Sequence, residues 1–156
     1  MASRHGWASW DQYISAHQRY LDQFAHFIEV DTLNPVVTES AVEWTGVLAC
    51  SGGIEIHVRK LQVINLEHGR FRVRTRLYSY HVLARKGEAI HSLFRYDNVH
   101  MHPGHPDAHH RHHYDEHGID QHPPQHIGEE DWPTLADVVA EAERHYLRRL
   151  SDPTSR

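Results

Sequence analysis

The chain has 156 residues, a formal net charge of −5 with histidines neutral, and 39% hydrophobic residues. That leaves room for one domain with one real core, and four Trp and seven Tyr argue for packing rather than disorder. The single cysteine, Cys50, excludes an internal disulfide framework and a Cys-only zinc site. No apolar run approaches the ~20 residues of a membrane span, and the N-terminal stretch has no apolar core or cleavage signal of a secretory leader. A soluble protein in a reducing, cytoplasmic setting is expected.

The charge is unevenly spread. Residues 1–53 carry two basic and six acidic side chains, residues 54–96 nine basic and three acidic, and residues 97–156 five basic and twelve acidic. The middle third is therefore the part suited to a polyanion. Eighteen histidines, with an unperturbed pKa of ~6.5, would make the chain strongly cationic on mild acidification.

In chain order, Trp10, Tyr13, Ile14, His17, Tyr20, Leu21 and Phe24 recur at helical spacing and predict a helix over 9–27 with one aromatic, core-facing stripe. Ser9, followed by Asp11 and Gln12, suits its start. "TLNPVVTES" reads as a turn broken at Asn34-Pro35. Strand-like stretches occupy 41–97: "AVEWTGVLA", "IEIHVRKLQVI", "RFRVRTRLYSYHVLA" and "AIHSLFRYDN", joined by short turns at "SGG", "EHG" and "ARKGEA". In the second stretch Ile54, Ile56 and Val58 alternate correctly, but Leu61 and Val63 fall on the opposite face. A bulge near Arg59-Lys60 would restore the register. From 98 to 130 no period survives, and a His-rich loop is expected. A second helix is predicted over 134–150, with Thr134 and Asp137 approximating a capping box. The expected fold is α+β, in one domain: a curved antiparallel meander of four or more strands packed by N-terminal and C-terminal helices.

Arg70, Arg72, Arg74 and Arg76 alternate strictly. On a strand they share one face at steps of roughly 7 Å, with Tyr78 and Tyr80 continuing on the same side and Phe71, Val73 and Leu77 pointing to the core. Cations beside aromatic rings are what a single-stranded nucleic acid requires. A solvated outer face balanced by neighbouring carboxylates is the competing reading.

"FRYDNVHMHPGHPDAHHRHHYDEHG" holds eight histidines in 25 residues. It lacks a His-Glu-x-x-His helix and any nearby cysteine, so no zinc framework stands out. Three readings stay open: a metal site, an acid–base site and an exposed loop without a task. Acid–base cleavage of RNA by its own 2′-hydroxyl needs a base, an acid and a cation for the phosphorane. His81, with His102, His109, His110 or His112, fits the first two tasks, and Arg95 fits the third. Asp97 suits holding a histidine tautomer, although Asp97 and Asn98 equally suit capping the turn after their strand.

"YSYH" at 78–81, "FRYDN" at 94–98, His102-Pro103, the histidines at 109–113 and an acidic stretch before a final helix together resemble the TumE-like toxins of bacterial toxin–antitoxin systems, over about residues 41–150. Met101 stands where that pattern has a histidine, and the N-terminal aromatic helix lies outside it. The resemblance implies a growth-inhibiting toxin neutralised by a cognate antitoxin protein. The combined expectation is a metal-independent endoribonuclease without a cofactor. His81, Arg95, Asp97, His102, His109, His110 and His112 would form its catalytic set, and Arg70, Arg72, Arg74, Arg76, Tyr78 and Tyr80 its RNA-binding set. RNA and the antitoxin are the expected partners, a membrane is not, and a homodimer is left open. The rival expectation is a His-rich metal-binding protein, either a small metallohydrolase or a metal sensor.

Overall fold

The computed structural model describes residues 4–155. In chain order the elements are β1 (Ala8–Ser9), α1 (Trp10–Asp22), β2 (Ile28–Asp31), β3 (Asn34–Val37), β4 (Ala41–Cys50), β5 (Ile54–Glu67), β6 (Arg70–Lys86), β7 (Ala89–Asp97), β8 (His110–Tyr114), β9 (Asp120–His126) and α2 (Leu135–Ser151). All strands pair antiparallel in the order β2-β4-β5-β6-β7-β8-β9, with β1 added to β6 and β3 to β4. The chain is thus an α+β fold, a curved nine-stranded open sheet flanked by one helix near each end.

Both helices cover the same face of the sheet. Leu21 from α1 and Leu135, Val138, Val139 and Ala142 from α2 are buried against Leu48, Ile54, Ile56, Val58, Tyr80, Val82 and Phe94. Each large apolar side chain buried there contributes about 1.5–3 kcal/mol against the entropy of ordering the chain. The helix starts follow local chemistry. Ser9 Oγ accepts the Gln12 N–H. Thr134 and Asp137 complete a reciprocal capping box, as their spacing indicated. α1 stops at Asp22, short of the expected 27.

"TLNPVVTES" is more than a turn. β2 and β3 share one edge of β4, β2 against Leu48–Cys50 and β3 against Val42–Thr45. Between them the chain packs closely on Gly46 of β4, with Thr32 N–H and hydroxyl both bonded to Val47. Each strand has only four residues, too few to show a period, and β3 contains the Asn34-Pro35 turn signal.

The expected bulge at Arg59-Lys60 is absent. β5 alternates without a break, and Lys60 and Gln62 are buried on the helix face at 3% and 0% exposure. The slip lies one strand later: Leu61 pairs with Leu77 and Gln62 with Thr75, so Arg76 has no partner on β5. The apolar parity of β6 records it, because Phe71 and Val73 occupy odd positions while Tyr78, Tyr80, Val82 and Ala84 occupy even ones. A bulge must separate the two sets for both to reach the core.

The His-rich segment is likewise not a continuous loop. β8 pairs with β7 through Phe94–His113, Arg95–His112, Tyr96–Arg111 and Asp97–His110, and β9 then closes the sheet edge. The helix-facing side of β8 is polar. Arg111 lies over the Phe94 and Tyr96 rings, pairs with Glu141 on α2 and donates to Tyr96 Oη at 2.7 Å.

Gly46 has φ of +149°, and a β-carbon there would meet the Thr32 carbonyl oxygen at 2.5 Å. Gly46→Ala is expected to lower the unfolding free energy by about 1–3 kcal/mol, measured by urea denaturation. An unchanged midpoint would contradict this close approach of Thr32 to Gly46.

Candidate functional site

The bulge at Arg76 decides which side chains share a face. Before it, Arg70, Arg72 and Arg74 oppose Glu67, Asn65 and Val63; after it, Ser79 and His81 oppose Arg59 and His57. Leu61 and Val63 lie on one face of β5, so the arginines before the slip and His81 after it project from the same side, away from the helices. His81 pairs with Arg95, and Arg95 with His112. Three strands therefore bring His81, Arg95 and His112 into one row, with Asp97 and His110 one step along it.

At the centre of this outer face lies Arg95. Its Nε donates to Asp97 Oδ2 at 2.9 Å, and its Nη2 lies 3.2 Å from His112 Nε2. His112 Nε2 is also 3.3 Å from Asp97 Oδ2, and its Nδ1 is 3.3 Å from Asp120 Oδ2. One imidazole is thus held between two carboxylates and a guanidinium, with its side chain only 6% exposed. Burial opposes ionisation of Asp97, but the hydrogen bond from His112 and the Arg95 charge hold its carboxyl below the usual range. His81 Nε2 lies 2.8 Å from Ser92 Oγ, and its ring stacks on Tyr114. Burial, then the Arg95 charge, lower its pKa to about 4, so His81 is a neutral imidazole at neutral pH.

A second imidazole group adjoins the first. The His102 ring lies 4.3 Å from His110 and 6.1 Å from His112 between centroids. His105 and His126 pack on the other side of His110. His110 is fully buried, donates Nδ1–H to the Ala108 carbonyl at 2.8 Å and meets His105 through Nε2. His126 Nε2 donates to Asp107 at 2.9 Å. Among the described residues no group of three or more His, Cys, Asp or Glu side chains is arranged to hold a metal ion.

Several expected site residues stand elsewhere. Tyr78 and Tyr80 are 1% and 2% exposed and belong to the core, so neither is a surface stacking platform; the slip at Arg76 turns them inward and leaves Leu77, expected inside, 40% exposed. His109 lies on the helix side. It stacks against Trp132 and Tyr78, with Nδ1 3.0 Å from Tyr78 Oη. Arg76 is the bulge residue. Arg72 is tied to Glu67 at 3.2 Å, while Arg70 and Arg74 are exposed. Asn98 serves the backbone: its Oδ1 accepts the Tyr78 N–H at 2.9 Å and its Nδ2 donates to the Arg76 carbonyl at 2.8 Å. It thereby continues the β6–β7 ladder past the last strand pair.

Sequence reasoning missed Ser92, Tyr114 and Asp120, which touch this row. Tyr114 and Asp120 lie on strands hidden in the His-rich stretch, and Ser92 lies three residues from Arg95, reaching His81 only because of the irregularity opposite Val82 and Leu83, so no motif marks them.

Comparison with protein-family models, with curated proteins and with solved structures gives no match. No helix among the described residues is long and apolar enough to cross a membrane.

The lowered pKa of His81 makes a stability prediction. Between pH ~4 and ~6.5 the unfolded chain binds a proton at this position and the folded chain does not, so stability rises with pH across that window and levels above it. His17, also lowered to about 4 by burial and by the Lys60 charge, acts in the same direction. Urea denaturation from pH 4 to pH 7 should show this rise, and His81→Phe should flatten it. An equal slope in the variant would contradict a buried neutral His81.

Proposed function

We propose that the chain cleaves RNA as a metal-independent endoribonuclease, in the role of a toxin held in check by an antitoxin protein, as the TumE-like resemblance implies. The observation that supports this most is the shared outer face: His81, Arg95, Asp97 and His112 meet on the side that also carries Arg70, Arg72 and Arg74.

In this reading His81, neutral at pH 7, accepts the proton of the 2′-hydroxyl. The 2′-oxygen attacks the adjacent phosphorus, and the Arg95 guanidinium takes the charge that develops on the phosphorane oxygens. His112 delivers a proton to the departing 5′-oxygen, leaving a 2′,3′-cyclic phosphate and a free 5′-hydroxyl. Asp97 and Asp120 hold the His112 ring. Because His112 is nearly buried, Arg95 must exchange its contact with Nε2 for the phosphate as substrate enters. Arg70 and Arg74 contact phosphates of the flanking strand as point charges. His110 is enclosed and His109 faces the helices, so neither is given a proton-transfer role; His102 borders His112 and remains the nearest auxiliary ring.

Incubation with total RNA in the presence of chelator is expected to give fragments ending in cyclic phosphate. His81→Ala and His112→Ala should each lower the cleavage rate about 10²–10⁴-fold with RNA affinity retained. Arg74→Ala should weaken binding evenly across sequences and reduce the salt slope by about 1. Full activity in both histidine variants, or none in the wild type, would overturn the reading.

A further inference from the structure

The buried lysine on β5 belongs to none of this. Lys60 is 3% exposed on the helix face of the sheet, opposite the His81–Arg95–His112 row. Its Nζ donates to Tyr13 Oη and lies 4.9 Å from the centre of the Tyr13 ring and 5.0 Å from that of Trp44. Among the described residues no carboxylate pairs with it. An ammonium taken out of water costs several kcal/mol unless an opposite charge or several hydrogen bonds replace the solvent. Among the described residues Tyr13 Oη is the one acceptor that meets its three N–H donors, beside two ring faces.

The surroundings have the form of a ligand site. Lys60 borders a cavity of 380 Å³ between α1, the sheet and the start of α2, within the ~300–1,000 Å³ typical of small-molecule pockets. Gln62 and Thr75 lie beside Lys60, fixed by the Trp44 Nε1–H to Gln62 bond at 2.8 Å and the Gln62 to Thr75 bond at 3.3 Å. Tyr13, Tyr80 and Trp132 supply flat walls, and Arg4 and Arg74 also line the cavity. Arg4 is already paired with Asp137, and burial lowers the pKa of both His5 and His17, the titratable rings that also line it. A fixed cation, apolar ring faces and few polar groups select a flat organic ligand with one anionic group.

We propose that this cavity binds a small planar organic anion, an aromatic carboxylate or a phosphate ester of a flat ring, whose charged group seats on Lys60 and Thr75. The ligand supplies the counter-charge that the protein withholds from Lys60, and its ring packs between Tyr13 and Trp132. The cavity is lined by none of His81, Arg95 and His112 and does not depend on their chemistry, although Arg74 borders it.

Isothermal titration of the full chain with benzoate and with uridine monophosphate, each beside its uncharged counterpart benzamide or uridine, tests the assignment. At least one anion should bind and its neutral counterpart should not; which anion binds tells a carboxylic acid from a nucleotide. Lys60→Met should lower that affinity roughly thirtyfold or more, as loss of one partner of a buried charge pair does. The same variant should melt no lower than wild type, because an apolar side chain of similar size replaces an uncompensated charge. Ala16→Phe, which fills the cavity from α1, should abolish binding and leaves the lysine in place. Binding of neither anion, equal binding of the neutral compounds, or undiminished affinity in Lys60→Met would overturn the proposal.

Discussion

Arg76 has no partner on β5, and that one-residue slip sets the chemistry of both faces of the sheet. Without it, strict alternation would send Tyr78 and Tyr80 outward and His81 into the core, opposite the arginines. With it, the tyrosines join Trp132, Val58 and Phe94 in the core, and His81 comes onto the arginine side. The gain is large: two aromatic side chains of roughly 150–250 Å² each are removed from water. The cost is one unpaired residue in the ladder, offset by the Asn98 side chain, which bonds the backbone on both sides of the slip.

The two faces then diverge in character. The helix face is a core with polar groups set into it: the Lys60–Tyr13 and Trp44–Gln62 bonds near α1 and the Arg111–Glu141 pair under α2. The outer face is a polar row crossing three strands, whose members are ordered by carboxylates: Asp97 for Arg95, Asp97 and Asp120 for His112. Asp120 Oδ1 has no hydrogen-bond partner among the described residues, but the bonds among Arg95, Asp97 and His112 hold those three in one geometry. That is the property an acid–base site needs, and a solvated strand face lacks it.

Much of the frame was legible in the sequence. The meander from Ala41 to Asp97, the capping of both helices and the hairpin that sets His81 beside Arg95 all follow from period-two patterning and turn residues. What was not legible has physical reasons. β8 and β9 carry "HRHHY" and "DQHPPQH", whose inward side chains are satisfied by ion pairs and hydrogen bonds instead of apolar contact, so no hydrophobic alternation marks them. The break in alternation at Lys60 and Gln62 was visible but admitted two causes. A bulge would have explained it, and so does a strand that buries polar side chains in a cavity; only the pairing partners distinguish them. The parity change within β6 was masked by Leu77, an apolar residue on the exposed side.

One surface, opposite the helices, carries both the arginines and the imidazole–guanidinium row. Titration of a short single-stranded RNA into isotopically labelled protein, followed through side-chain resonances, tests it most directly. His81, His112 and the guanidinium groups of Arg74 and Arg95 should shift together, while the Tyr78 and Tyr80 rings should not. Shifts confined to the helix side, or an RNA that moves the arginines and leaves His81 and His112 untouched, would contradict it.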